Sequence, residues 1–343
     1  MLPEGQSMKL LLAWAAKAVD TDGKIIEIQA LRANAKERGP WLLRIKHRRG
    51  TIDAVLKIGP AATSAYRITD VTMREAFACE AAGLTFAEEH GIPAPRLLAA
   101  DLDGTETGVL AILSTALPGT PRPPDVTSLR SLGAAAAKLH GIPLSPRPNL
   151  PLRTRPRQGE DFITERRWAA RYQAASPSEQ EEILTEVLSQ RPGWSEDGTR
   201  EKLMSIDTTP LIQRAEERLK ELHVPVDQTV FVHCDLAIEN AVWDKGTVVG
   251  IIDWEGAGAG HYGVDLGNLR LEGALHFGLR AAHEALEGWQ EAAGREAENL
   301  PYWDLVAALN TPTSLAGWAP TVPGATERRD EFLRAALAQL DRI

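Results

Sequence analysis

The sequence predicts an α+β chain in two lobes, a small β-rich one over residues 1–118 and a larger, mostly helical one over residues 119–343. Three observations point there. Short β-branched and apolar runs dominate the first third of the chain. Apolar residues at helical spacing dominate after Pro121. Between His233 and Asp253, a predicted β-hairpin interrupts the helical half and carries polar residues at fixed offsets. With 343 residues, 43% hydrophobic and 25% charged, the chain has the composition of an ordinary globular protein with ample core.

The elements follow in order. Met8-Lys-Leu-Leu-Leu-Ala-Trp-Ala-Ala is apolar but short, and it runs directly into Asp20. It reads as an amphipathic first helix rather than an export signal. Ile25-Ile-Glu-Ile-Gln, Trp41-Leu-Leu-Arg-Ile and Ile52 to Ile58 read as three strands joined by turns that contain glycine. Arg32 to Gly39 form a charged turn between the first two, in which Lys36 or Arg38 could reach a phosphate.

Met73, Phe77, Leu84 and Ala87 mark one face of the next helix. Glu80 lies on that apolar stripe, where a carboxylate is costly unless paired. Lys57, inside the third strand, is its predicted partner. Glu75 lies off the stripe. Gly91-Ile-Pro-Ala-Pro-Arg96 ends the helix and leads into Leu97-Leu-Ala-Ala, and Val109 to Gly119 read as a buried strand running into a bend.

The second lobe opens at Pro121-Arg-Pro-Pro124. Leu129, Leu132, Ala136 and Leu139 form a stripe stopped by Gly141. Residues 144–157 read as a loop rich in Pro and Arg. Asp161–Gln190, Thr208–Leu222, Leu266–Glu298 and Tyr302–Leu309 read as helical, with residues 145–225 as an insertion supplying an acceptor pocket. Glu272, Glu284, Glu291 and Asp304 are acidic candidates for that pocket, each also readable as an ordinary helix residue.

The hairpin carries the chemistry. Thr229 to His233 should be extended and buried. Ala241-Val-Trp243 and Thr247 to Ile252 flank Asp244-Lys-Gly246, a turn signal with glycine available for positive φ. Closing that turn brings Asp253 back toward the loop of Asp235 and Asn240. Three polar groups at the ends of apolar strands need a partner, and magnesium favours such oxygen ligands. The set suits phosphoryl transfer, with one acid orienting a hydroxyl and the amide and second acid holding the metal.

His233-Cys-Asp235-Leu-Ala-Ile-Glu-Asn240, followed by Ile252-Asp253-Trp254, resembles the aminoglycoside phosphotransferase family. Choline kinases and protein kinases share its core fold. The likeness extends through Gly256-Ala-Gly-Ala-Gly260 and Tyr262-Gly-Val-Asp265-Leu-Gly. It implies a protein-kinase-like two-lobe fold with ATP and Mg2+. Asp235 would be the catalytic acid, Asn240 and Asp253 the metal ligands, and Asp265 and His233 structural supports. Lys57 would contact the nucleotide phosphates while Glu80 holds it. The backbone of Ser114, Thr115 and Ala116 would meet the purine, which leaves ATP and GTP undistinguished. Cys234 stands where these small-molecule kinases usually have glycine and reads as a small buried hydrophobe. Ala237 replaces a frequent histidine, and Trp254-Glu255 replaces the Phe-Gly of protein kinases.

The resemblance thus implies a kinase acting on a small-molecule hydroxyl, first among them an antibiotic such as an aminoglycoside. A metabolic kinase of a sugar, choline-like amine or amino alcohol is the alternative. A non-catalytic binding module is a third reading, which the intact polar set argues against. Residues 1–118 are balanced at 14 basic and 14 acidic residues, so the net charge of −9 falls wholly in residues 119–343. That excess would attract a cationic acceptor, or simply aid solubility. It leaves no basic footprint for nucleic acid. No run reaches the ~20 apolar residues of a membrane span. Two cysteines, Cys79 and Cys234, imply no disulfide framework and fit the cytoplasm.

Overall fold

The computed structural model describes residues 6–31, 40–59, 67–68, 71–123, 125–145, 152–154, 161–191, 193–223, 229–316 and 322–342. The charged turn with Lys36 and Arg38 lies outside them. By backbone proximity the chain forms two units. The first comprises residues 1–124, 138–155 and 230–259, and the second residues 125–137, 156–229 and 260–343.

In the first unit, alternation of apolar and polar residues builds an antiparallel sheet. Strands β1 (Lys24–Ala30), β2 (Trp41–His47) and β3 (Gly50–Ile58) pair in sequence, with Trp41 opposite Leu56 and Ile45 opposite Ile52. Trp41, Leu43 and Ile45 point inward, while Arg44 points outward to Glu27 at 2.8 Å and Asp53 at 2.9 Å. The first helix, α1 (Gln6–Val19), is the amphipathic segment read from the sequence. Its Leu11, Trp14 and Ala15 join the sheet core. A short pair, β4 (Arg67–Ile68) and β5 (Val71–Thr72), precedes α2 (Met73–Glu89). Glu75 accepts from the Thr72 amide at 2.7 Å in a capping box, which explains why that acid lies off the apolar stripe. Strands β6 (Leu97–Asp101) and β7 (Ala111–Thr115) complete the sheet in the order β1-β2-β3-β7-β6.

Among the described residues of 144–157, Arg153–Thr154 form a short strand, β8, in a segment read as loop. With β9 (Val230–Val232) and β12 (Gly258–Gly260) it forms a second small sheet in the order β8-β12-β9. Between them lies the predicted hairpin, β10 (Ala241–Asp244) and β11 (Thr247–Ile251). Its turn residues Lys245 (φ 48°) and Gly246 (φ 82°) are both left-handed, the pattern that matches strand twist in a two-residue hairpin.

The second unit is helical, with α3 (Leu129–His140) running across its boundary. The span 161–190 is two helices, α4 (Asp161–Ala174) and α5 (Pro177–Gln190), because Ser176 caps a new helix that starts at Pro177. Helix α6 (Glu196–Ser205) falls in a stretch not read as helical. Trp168, Tyr172, Leu184, Val187 and Leu203 bind α4, α5 and α6 into one core. Helix α7 (Pro210–Glu221) follows. The span 266–298 also divides, into α8 (Gly263–Phe277) and α9 (Leu279–Ala293), and α10 (Leu300–Leu309) comes next. A final helix, α11 (Ala325–Leu340), lies beyond the elements predicted and buries Phe332, Leu333, Ala336, Leu337 and Leu340.

Candidate active site

The predicted polar residues converge within the first unit. Strand β3 presents Lys57 and α2 presents Glu80, which is only 5% exposed. Lys57 Nζ donates to both Glu80 oxygens, at 2.7 and 2.9 Å. It also donates to Asp253 Oδ1 at 2.6 Å, a contact that spacing alone did not reveal. Burial opposes the ammonium charge, but the carboxylates of Glu80 and Asp253 outweigh it and hold Lys57 above its ordinary pKa.

Asp235 is exposed and Asn240 is buried in the loop between β9 and β10. Asn240 Nδ2 donates to Asp235 Oδ2 and to Asp235 O, both at 2.9 Å. The amide group is thus oriented, with its oxygen the end suited to a cation. The Ile252 amide donates to Asn240 O at 2.8 Å, and a ring nitrogen of His233 meets Ile252 O at 3.0 Å. His233 therefore supports the segment entering Asp253, as the resemblance implied. Asp265 is fully buried in the first turn of α8.

Two residues here have left-handed backbones, Cys234 (φ 65°) and Asp253 (φ 71°). Such conformations cost an ordinary L-residue about 1–2 kcal/mol and persist where the surroundings over-determine them. Cys234 is buried, as read from the sequence, and its φ explains a glycine preference at that position. The turn after Asp253 is pinned by Trp254, which is wholly buried. Its indole Nε1 donates to Ile251 O at 2.8 Å, its ring stacks on Phe231 and it meets the edge of His233.

Glu255 stands two positions after Asp253, and motif reading assigned it no role. One oxygen of its carboxylate lies with one each of Glu80 and Asp253 within 4.8 Å of one another. Burial first, and the nearby Asp253 charge second, push its carboxyl up to about 7. Hard carboxylate and carboxamide oxygens of this kind suit magnesium, so the donor set fits the ion implied by the resemblance.

The segment read as meeting the purine lies at the end of β7. Thr115 N–H already donates to Arg96 O and Ala116 N–H to Asp53 O, each at 2.9 Å, and Ser114 pairs with Val55 and Leu97 in the sheet. These amides are engaged because β7 is a central strand. Among the described residues no acceptor meets the next amide, that of Leu117.

The acidic candidates of the second unit all have partners. Asp304 forms a buried pair with Arg270 at 2.9 Å. Glu284 and Glu291 hold Arg130, at 3.1 and 2.6 Å. Glu272 lies 3.6 Å from His276 one turn on.

A model of the phosphotransferase enzyme family matches residues 31–309. No curated protein matches the chain. Among solved structures the chain is similar to the macrolide 2′-phosphotransferase of Brachybacterium faecium, at 16% identity and a TM-score of 0.54 over 94% of this chain and 97% of that one. It is similar to the choline kinase of Streptococcus pneumoniae, at 16% identity and a TM-score of 0.51 over 97% and 99%. It is also similar to a thermostable mutant of an aminoglycoside phosphotransferase in a ternary complex with ADP and hygromycin B, at 13% identity and a TM-score of 0.52 over 91% and 94%. At such identities the likeness establishes the fold, the two-lobe α+β arrangement of kinases.

Proposed function

Because the chain belongs to the phosphotransferase enzyme family, we propose that it moves the terminal phosphoryl group of ATP to a hydroxyl of a small molecule through the residues described above. The observation that carries this assignment is the clamp on Lys57, whose ammonium lies between Glu80 and Asp253. It rests in the same unit as the oriented Asp235–Asn240 pair.

In this mechanism Lys57 binds the phosphates and Glu80 fixes its direction. The Asn240 amide oxygen and Asp253 would hold the magnesium, with Glu255 beside them. Magnesium, when bound, supplies positive charge against the phosphate oxygens. Asp235 accepts a hydrogen bond from the acceptor hydroxyl and takes its proton late. Positioning and electrostatics provide most of the acceleration. The purine meets the backbone near Ser114–Ala116 and the Leu117 amide, an arrangement open to ATP or GTP. Residues 1–118 act as the nucleotide lobe. Residues 119–343 carry the catalytic loop and the acceptor site, with 145–225 as its insertion.

For the acceptor we propose a cationic hydroxyl compound, an aminoglycoside-type antibiotic first and a metabolic amino alcohol second. The acidic excess of residues 119–343 supports a cation, and the similar proteins include a macrolide phosphotransferase, an aminoglycoside phosphotransferase bound to hygromycin B and a choline kinase. Two buried free cysteines fit a reducing cytoplasm, and no helix among the described residues is long and apolar enough to cross a membrane. Labelled ATP offered with magnesium and a panel of aminoglycosides, macrolides, sugars and amino alcohols tests the proposal. Label should move to one acceptor class. Absence of transfer to any hydroxyl compound, with metal and nucleotide bound, would defeat it.

A further inference from the structure

The turn that follows Asp253 is held from β8, whose Arg153 was given no role of its own in the reaction proposed above. Asp253 has a left-handed backbone, and the short 3-10 turn Trp254–Gly256 begins at once. Such a residue keeps its geometry only if both sides are fixed. On the entering side, Ile252 is fixed by Asn240 and His233. On the leaving side, Arg153 Nε donates to Glu255 O at 2.8 Å, and the Arg153 amide donates to Ala257 O at 2.9 Å. The backbone there leaves no slack, because a Cβ on Gly258 would lie 2.0 Å from Arg153 O.

A second tie reaches the same turn from α2. Cys79 Sγ–H donates to Ala257 O at 3.1 Å and lies 3.6 Å from Trp254 O. Burial pushes this thiol up to about 11, which keeps it a donor at neutral pH. Cys79 directly precedes Glu80, so the helix that aims Glu80 also touches the turn that aims Asp253.

We infer that Arg153 is a positioning residue for metal binding: its side-chain Nε sets the Glu255 carbonyl, and through it the Asp253–Glu255 turn, in the conformation that offers oxygens to the ion. The inference rests on the metal–nucleotide role proposed above for Asp253. The guanidinium charge also draws the Glu255 carboxyl and the Cys79 thiol downward, but the positioning role lies in the bond to the backbone oxygen, which a neutral donor at the same atom position supplies.

Two substitutions separate these properties. Arg153→Met keeps the length of the stem and places a methyl where Nε was. Arg153→Gln places an amide NH2 there without the charge. Calorimetric titration with ADP, with and without Mn2+, reads the effect directly. Wild type should bind ADP more tightly with the metal than without it. Arg153→Met should lose about tenfold in the metal-dependent affinity, the order expected for one displaced ligand geometry, with metal-free ADP binding unchanged. Arg153→Gln should stay within about twofold of wild type. A wild-type protein indifferent to metal would defeat the functional reading and this inference with it. A metal-responsive wild type with Arg153→Met equal to it, or with Arg153→Gln as impaired as Arg153→Met, would overturn the positioning role alone. Should Arg153→Met fail to fold, Arg153→Leu, which also lacks a donor at that position, takes its place: a tenfold loss beside a near-wild-type Arg153→Gln supports the role, and wild-type affinity in Arg153→Leu refutes it.

Discussion

Lys57 Nζ sits as close to Asp253 Oδ1, at 2.6 Å, as to either oxygen of Glu80, at 2.7 and 2.9 Å. The lysine is therefore shared between a helix acid and a metal-ligand candidate 196 residues away in sequence. Removing either Lys57 or Glu80 leaves its partner a poorly compensated charge, so the two losses overlap. In a double-mutant cycle, Lys57→Ala and Glu80→Ala should show a coupling of about 1–3 kcal/mol in kcat/KM for ATP. Additive losses would show that the pair does not act as a unit.

Asp235 is exposed and held by the Asn240 amide, a geometry for meeting an acceptor rather than a nucleotide. Asp235→Asn keeps the shape and removes the base. Turnover should fall by about 10²–10⁴-fold, while ADP affinity measured by titration changes little. Unchanged turnover would remove Asp235 from the mechanism.

Glu255 gives the metal-free protein a distinctive pH response. Its carboxyl is raised from 4.5 to about 7 by burial and by Asp253. The folded state thus holds this proton more tightly than the unfolded chain does. The associated stability is fully present below about pH 4.5 and is lost as pH rises through about 7. In EDTA, the Tm of wild type should decline across this window more steeply than that of Glu255→Gln. Parallel Tm curves for the two proteins would contradict the shift.

The sequence carried the Lys57–Glu80 pair because a carboxylate on an apolar helix stripe demands a cation, and a strand lysine was at hand. It carried the hairpin through Lys245-Gly246 and the buried runs on either side. Arg153 was illegible, since its role lies in one bond to a backbone oxygen 102 residues away, and main-chain acceptors leave no mark on composition. The engaged Thr115 and Ala116 amides were hidden for a related reason: strand order, which made β7 central, is a tertiary property. The breaks at Ser176-Pro177 and Gly278 were different. Their capping signals stood in the sequence, but continuous charge and apolar periodicity on both sides masked them.

Gly119 marks where the chain leaves the sheet. Thr120 and Trp243 exchange two backbone hydrogen bonds at 2.8 Å, and a Cβ on Gly119 would lie 2.3 Å from Trp243 O. Gly119 also has φ 132°, so an alanine there meets both strain and a fixed backbone atom. Gly119→Ala should lower stability by about 2 kcal/mol or more, read as a shift of the urea midpoint. A midpoint equal to that of wild type would mean that the Thr120–Trp243 bridge yields freely.

Cys234 departs from the glycine usual at its position, and its backbone shows what that departure demands. At φ 65° the side chain crowds its own carbonyl, yet the thiol is buried and fills space beside Gly256, whose added Cβ would come within 3.5 Å of Cys234 Cβ. Cys234→Gly relieves the crowding but loses the packing and loosens the unfolded chain, so these terms should nearly cancel, within about 1 kcal/mol. Cys234→Val keeps an apolar side chain but adds a branch that the left-handed region does not tolerate. It should cost about 2 kcal/mol or more and displace Asp235, lowering turnover as well as Tm. If valine were accepted as readily as glycine, backbone strain would not be what selects the residue before the catalytic acid.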